Sequence, residues 1–129
     1  MDYSLSQYVT AGVETSSPAR IVVQLYQRAI RDLRTAEDAL ARNELKAKGE
    51  ALNHAHAVVT ELQATLDAEP APDLAAKLEA LYDFVLDRIV RANSACDASL
   101  LAPARAVLEE LLVAWIEVAS KVPHAGAER

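Results

Sequence analysis

The sequence is poor in the residues that form cross-links and sharp backbone turns. It contains one cysteine, Cys96, and 3 glycines among 129 residues. A single cysteine excludes both a disulfide framework and a metal cluster held by several cysteines. The chain also lacks an apolar run long enough to cross a bilayer, and its amino terminus lacks the basic and then apolar pattern of a secretory signal. We therefore expect a protein of the reducing cytoplasm that does not insert into membranes.

Positive charge is also in short supply. The sequence has 13 lysines and arginines against 19 aspartates and glutamates, which gives a formal net charge of −6. Nucleic acids and anionic lipid surfaces attract basic faces, so this charge argues against both as partners. The abundant residue types are Ala, Leu, Val, Glu, Asp and Arg, which is typical of a helical protein. The length suits one domain with a single core.

Helix signals divide the chain into four segments. Ser17 and Pro18 predict the start of the first helix, because serine caps free backbone N–H groups and proline suits the first helical position. The predicted helices span about 18–41, 44–68 and 74–95, and a fourth follows a cap at Asp97 or Ser99 and ends at Pro123. Apolar residues recur in each at steps of three and four, which predicts one buried face per helix. The predicted inward residues are Val22, Tyr26, Ala29, Leu33, Ala36 and Leu40; Leu45, Leu52, Ala55, Val59, Leu62 and Leu66; Leu78, Leu81, Val85, Ile89 and Ala92; and Leu101, Ala104, Leu108, Leu111, Trp115 and Val118.

Four helices of similar length with short connections pack as antiparallel neighbours. The predicted fold is therefore all-α, an antiparallel up-down-up-down four-helix bundle. We assign residues 1–16 to an N-terminal arm, with or without a short extra helix, residues 17–122 to the bundle and residues 123–129 to a flexible C-terminal tail. Lys48 and Gly49 weaken the first turns of the second helix, so we expect that end to be less well packed.

Three helices carry more apolar residues than one buried face needs. The surplus residues are Ile21 and Leu25 on the first helix, Tyr82, Leu86 and Val90 on the third, and Val107, Leu112 and Ile116 on the fourth. Surplus apolar surface indicates either a groove that captures amphipathic partner segments, a wide ordinary core, or a homodimer interface. The sequence pattern alone supports capture of a partner about as well as the other two interpretations taken together.

The titratable residues show no pattern of a catalytic or metal site. His54 and His56 are two residues apart, so a helix points them to different faces, and metal ligation favours a spacing of three or four. The Glu50 and His54 pair is better explained as a solvated contact. Asp83 and Asp87 lie one turn apart near Arg88 and Arg91, which favours a row of surface ion pairs over an acid–base pair. We predict no enzyme activity and no cofactor.

Several motifs resemble the flagellar export chaperone family (FliS), which binds flagellin. The amino-terminal part has Tyr8, then Thr15-Ser16-Ser17-Pro18, Leu25-Tyr26 and Ala29-Ile30. Later parts have Leu62-Gln63-Ala64-Thr65-Leu66-Asp67, then Leu78, Leu81-Tyr82-Asp83-Phe84, Arg88, Ala92-Asn93 and Asp97, and finally Trp115. These motifs occur in the family's order and cover roughly residues 8–120. Gln27-Arg28 departs from the family's acidic or amide residue followed by glycine, and His56 stands where glutamine is more typical.

The resemblance implies a cytoplasmic secretion chaperone of the flagellar type III export system. Such a protein binds the disordered carboxy-terminal segment of flagellin, and the segment wraps around the bundle. The chaperone thereby prevents premature polymerisation of flagellin and presents it to the export gate. The predicted partner-binding residues are Tyr8, Ile21, Leu25, Tyr82, Leu86, Val90, Asn93, Leu112 and Ile116. Tyr8 has two interpretations, as a simple anchor of the arm or as part of an arm that covers the binding surface. The alternative function is a homodimeric bundle with a structural or adaptor role and no flagellin binding.

Overall fold

Four long helices joined by short connections make up most of the part of the chain that the structure describes. The computed structural model describes residues 14–15, 18–69 and 71–121. The helices are α1 (Ala19–Ala41), α2 (Leu45–Ala64), α3 (Pro72–Ala95) and α4 (Leu101–Lys121), with a 3₁₀ turn at Ala98–Leu100. Apart from Glu14 and Thr15, the predicted arm lies outside the described residues, as do Tyr8 and the predicted tail at 123–129.

Helix contacts follow the predicted topology. The first helix packs against α2 and α4, and α3 packs against the same two helices. Helices that follow one another in the chain are therefore in contact, and α1 and α4 close the ring, as in an up-down-up-down bundle; the predicted all-α fold is confirmed. None of the helices within the described ranges is long and apolar enough to span a membrane.

A residue in the left-handed backbone conformation follows the end of α1 and of α3. Asn43 has φ 58° and Cys96 has φ 52°, a conformation that asparagine tolerates and cysteine seldom adopts. The chain beyond each residue turns back onto the helix, since Glu44 N donates to Ala39 O at 2.8 Å and Asp97 N donates to Ala92 O at 3.2 Å. Asn43 is the predicted break, but the residue that precedes α2 is Glu44, which makes no side-chain cap.

Two predicted helix boundaries were wrong. The second helix ends at Ala64 because β2 (Leu66–Asp67) pairs antiparallel with β1 (Glu14–Thr15). The third helix begins at Pro72, where proline is tolerated in the first turn, so Asp73 lies inside that turn instead of capping it. The Asp97 cap is confirmed: its carboxylate accepts from Ser99 N at 3.0 Å and Ser99 Oγ at 2.6 Å. The first helix begins at Ala19, one residue after its predicted start.

The core runs along the axis of the bundle and follows the predicted stripes with a few corrections. Leu45, predicted to face inward, is exposed at the start of α2, and Leu81 is only half-buried because Tyr82 occupies the core. A Cβ at Gly49 would meet no atom within 4 Å, so the first turns of α2 are loosely packed as predicted, although Lys48 is buried. The largest fully buried side chains are Tyr26, Tyr82, Leu33, Leu52, Leu62, Leu78, Leu101, Leu108, Leu111, Val22, Val59 and Val85.

Candidate partner-binding clefts

Two tyrosines join diagonally opposite helices at the centre of the bundle. Tyr26 Oη on α1 lies 2.5 Å from Tyr82 Oη on α3, and the ring centroids are 6.3 Å apart. Burial raises the pKa of Tyr82 to about 12, although the hydrogen bond with Tyr26 lowers this pKa. The pKa of Tyr26 is raised well above 10, mainly by burial and to a smaller extent by the neighbouring Tyr82. Both hydroxyls therefore stay protonated at neutral pH and hold α1 and α3 in register.

The indole of Trp115 lies beside this pair. Trp115 is buried on α4, as predicted. Its Nε1 is close enough to Tyr26 to moderate the rise of that pKa, yet it meets no acceptor at hydrogen-bond geometry among the described residues. A buried N–H without an acceptor is unfavourable, so the ring contributes through its apolar contacts and not through its polar atom.

The predicted partner-binding residues do not form one face. Leu25 and Tyr82 are 8% and 1% exposed, so their placement on surplus outer lines was wrong and both belong to the core. Ile21, Val90 and Ile116 are exposed large apolar residues, as their predicted role requires. Leu86, Asn93 and Leu112 are half-buried. Whether any of these residues contacts a partner stays a prediction.

The first cleft lies between α2 and α3. Its lining is Asn53, His56, Ile89, Val90, Asn93 and Ser94. Val90 is 55% exposed and stands beside the buried Ile89, so the cleft offers an apolar contact within a polar rim. Leu86 lies one turn earlier on the same side of α3 and extends this apolar edge.

A buried lysine on α2 holds Asn93, one of the residues that line the first cleft. Lys48 Nζ donates to Asn93 O at 3.1 Å and to Asn93 Oδ1 at 2.8 Å. Asn93 lies in the last turn of α3, where carbonyl groups lack intrahelical donors and a cation is favourable. The side chain of Asn93 is thus held by α2 before any partner arrives. Sequence reasoning missed this link because it joins helices whose relative register the sequence does not state.

The second cleft, which we call the α1–α4 cleft, is on the other side of the bundle. Its lining is Gln27, Ile30, Arg31, Arg34, Glu109 and Leu112. Ile116 lies one turn beyond Leu112 on the same side of α4 and is 47% exposed. One end of this cleft is therefore apolar, and the other is closed by charged residues.

An ion-pair network forms the charged end. Arg34 Nη2 donates to Glu109 Oε2 at 2.6 Å, and Arg105 contacts both Glu37 and Glu109 at 3.1 Å. Partial burial would raise the pKa of Glu109, but the hydrogen bonds from Arg34 and Arg105 outweigh it and lower the pKa. The network fixes the register of α1 against α4.

Side-chain hydrogen bonds also join α2 to α1. Arg28 Nη2 donates to His54 Nε2 at 3.1 Å, and His54 Nδ1 hydrogen-bonds Asp32, so His54 contacts α1 and not Glu50 as predicted. Ile21 lies two turns before Arg28 on the side of α1 that faces α2.

The predicted surface ion pair is confirmed for Arg91 and Asp87 at 2.9 Å.

Asp83 is the exception to the predicted row of ion pairs. Its carboxylate accepts from Gln63 Nε2 at 2.7 Å and therefore joins α3 to α2. Arg88 instead stacks over the ring of Phe84, with its guanidinium carbon 4.6 Å from the ring centroid. These contacts tie the surface of α3 without involving the apolar side chains of the first cleft.

This chain is similar in sequence to proteins named for a flagellar role. The profile of a family described as "Flagellar protein FliS" matches residues 1–122. The chain is 32% identical over 107 residues to Flagellar secretion chaperone FliSB of Pseudomonas aeruginosa, an alignment covering 83% of this chain and 85% of that protein. It is 31% identical over 114 residues to Flagellar secretion chaperone FliS of Salmonella typhimurium, covering 88% of this chain and 84% of that protein.

A solved structure agrees at the level of the fold. A crystal structure of a flagellar chaperone from bacteria matches with a TM-score of 0.75 at 23% identity, over 84% of this chain and 88% of that one. The resemblance predicted from the sequence motifs is confirmed by the family profile and by these relatives. The chain belongs to the flagellar protein FliS family.

Proposed function

We propose that this protein is a flagellar secretion chaperone that binds the carboxy-terminal segment of flagellin. The observation that carries the proposal is the exposure of Val90 and Ile116 at two clefts of a bundle from the FliS family. Relatives covering most of this chain are named flagellar secretion chaperones. Exposed apolar side chains at grooves between helices suit the capture of amphipathic helical segments.

The positions of the clefts favour a partner that wraps around the bundle. Val90 lies at the cleft between α2 and α3, whereas Ile116 continues the α1–α4 cleft, and Ile21 lies on the side of α1 facing α2. A rigid globular partner does not reach several such surfaces at once. A disordered segment that folds into short helical pieces reaches all of them, and its apolar anchors offset an ordering cost of about 2–5 kcal/mol.

Binding of this kind gives the protein its biological role. The chaperone holds the flagellin segment in the cytoplasm, where it prevents premature polymerisation, and it delivers the subunit to the flagellar export gate. The mechanism is sequestration and requires no bond to be made or broken. The net charge of −6 disfavours nucleic acid as a competing partner.

The test is a calorimetric titration of the full-length protein with intact flagellin and with flagellin lacking its carboxy-terminal segment. We expect saturable binding to intact flagellin and loss of that binding on truncation. A negative heat-capacity change should accompany it, because apolar surface is buried. Equal binding of the two flagellins would contradict the proposed segment, and no binding to either would contradict the function. Sedimentation velocity of the free protein tests the alternative that two copies associate through the same apolar side chains.

A further inference from the structure

The amino-terminal half of α1 carries a basic outer face on an otherwise acidic protein. Arg20, Arg28 and Arg31 are exposed, and residues 18–31 contain no aspartate or glutamate. The first acidic residue of the helix is Asp32, whose carboxylate is hydrogen-bonded to His54. The whole chain nevertheless has a net charge of −6. The amino-terminal half of α1 is therefore a locally basic surface.

Two of these arginines have no neutralising partner within the described residues. Arg34, further along α1, is paired with Glu109 at 2.6 Å, and Arg28 donates to His54. No described residue forms an ion pair or hydrogen bond with the side chain of Arg20 or Arg31. An unpaired guanidinium keeps its full set of donors available for a carboxylate.

Arg31 lies on one edge of the α1–α4 cleft, and Arg20 continues the same side of α1; neither has a partner among the described residues. Arg31 lines the cleft together with Gln27, and Arg20 lies eleven residues earlier in α1. Eleven residues are three helical turns, so Arg20 and Arg31 point the same way about 16.5 Å apart. The floor beside this basic edge is apolar, with Ile30 buried, Leu112 half-buried and Ile116 exposed.

We infer that the α1–α4 cleft binds an amphipathic helical protein segment that presents carboxylates to Arg20 and Arg31 and apolar side chains to Leu112 and Ile116. The choice of a protein segment as occupant rests on the proposed function. The acidic character of that segment follows from the charge of the cleft edge, since charge complementarity selects partners and speeds their association. Carboxylates about three helical turns apart on the segment match the separation of the two arginines.

The same charge pattern disfavours a second copy of this chain. A two-fold dimer places the same surface patch of both subunits face to face. Association through this cleft would bring two basic edges close together, and the acidic residue in its lining, Glu109, is already paired with Arg34 and Arg105. An apolar floor suits a folded peptide better than a nucleic acid, whose binding depends on many phosphate contacts.

The experiment is an NMR titration of the full-length labelled protein with a designed helical peptide of about five turns. The peptide has leucines on one face and is made in two versions, with glutamates or with lysines at the positions next to that face. We expect the glutamate version to shift the signals of Ile30, Leu112 and Ile116 and to bind at least about ten-fold tighter than the lysine version. Raising the salt concentration should weaken its binding.

Charge-reversed variants locate the contact. Arg31→Glu should weaken binding of the glutamate peptide at least about ten-fold. Arg42→Glu makes the same change in net charge at an exposed residue that follows α1 at the far end, outside the cleft lining, and should change binding less than about two-fold. Circular dichroism of both variants checks that the bundle remains folded.

Other results would overturn the inference. Equal binding of the two peptide versions, equal losses in the two variants, or shifts confined to other helices would each exclude an acidic segment in this cleft. Nuclear Overhauser contacts from Ile116 to residues 1–17 in the free protein would make the chain's own amino-terminal segment the occupant. Dimerisation that Ile116→Asp abolishes would make a second copy the occupant. Because the probe is a designed peptide, these results stand whether or not flagellin binds.

Discussion

The hydroxyl groups of Tyr26 and Tyr82 meet at 2.5 Å in the centre of the bundle and join α1 to α3, two helices that are not neighbours around its circumference. Both rings are almost completely buried. Apolar contacts alone tolerate small slides of one helix along another, whereas this hydrogen bond has one favourable register. It therefore specifies how the clefts on opposite sides of the bundle are placed relative to each other.

Tyr82→Phe should lower the free energy of unfolding by about 1–3 kcal/mol, because the hydroxyl of Tyr26 then remains buried without that partner. Urea denaturation of the variant and the wild type measures the difference. Phe84→Leu, a change at a half-buried ring on the same helix, serves as the control for general loss of aromatic packing. A Tyr82→Phe protein as stable as the wild type would show that the hydrogen bond contributes nothing.

Alkaline pH should destabilise the protein through the same pair. The pKa of Tyr82 is raised from 10.0 to about 12 in the folded state, so its contribution is fully present below pH 10. Above pH 10 the unfolded tyrosine loses its proton first, and stability falls as the pH rises towards 12. A shift of this size corresponds to roughly 2–3 kcal/mol.

The contribution of Tyr82 is isolated by comparing two proteins that differ only at this residue. Urea denaturation of the wild type and of Tyr82→Phe is followed between pH 9 and pH 12, the range set by the two pKa values. The wild type should lose more stability than the variant. Parallel curves for the two proteins would contradict the assignment to Tyr82.

Trp115→Ala should cost about 3–5 kcal/mol, since it removes a buried large aromatic ring from the inward face of α4. Trp115→Phe should cost less, because it keeps most of the apolar contacts and removes an N–H without an acceptor among the described residues. Thermal unfolding compares the two variants. Equal losses would show that the indole nitrogen matters after all.

Lys48→Met should lower the free energy of unfolding by about 1.5–3 kcal/mol, because both oxygens of Asn93 lose the hydrogen bond that Nζ donates. Lys46→Met removes the same charge from an exposed position two residues earlier and should have little effect. Chemical denaturation of both variants makes the comparison. A result in which Lys46→Met is the more damaging change would mean that Lys48 does not anchor α3.

Much of the fold could be predicted from local sequence. The spacing of Val22, Ala29 and Leu33 gave the inward face of α1, and the same reasoning placed Trp115 correctly on α4. The end of α2 could not be predicted, because it depends on pairing with Glu14 and Thr15, far away in the chain. Local periodicity says nothing about such long-range contacts.

The candidate site was harder to predict than the core. Leu81 and Tyr82 are adjacent apolar residues that fit a helical stripe about equally well, and the partner that selects Tyr82 is Tyr26 on a distant helix. Val90 and Ile116 were predicted as surplus apolar residues and are exposed. The α1–α4 cleft and the Lys48 anchor depend on the register between helices, which becomes visible only when the helices are packed.

The most direct test of the central proposal compares Val90→Asp with Val113→Asp in calorimetric titrations with the flagellin carboxy-terminal segment. Val90 lines the cleft between α2 and α3, whereas Val113 is 64% exposed and lines neither cleft. Both changes place a solvated carboxylate on an exposed helix position, so both proteins should stay folded. Val90→Asp should weaken binding at least about ten-fold, or 1.4 kcal/mol, and Val113→Asp should bind like the wild type. Wild-type affinity in a folded Val90→Asp protein would contradict capture at this cleft.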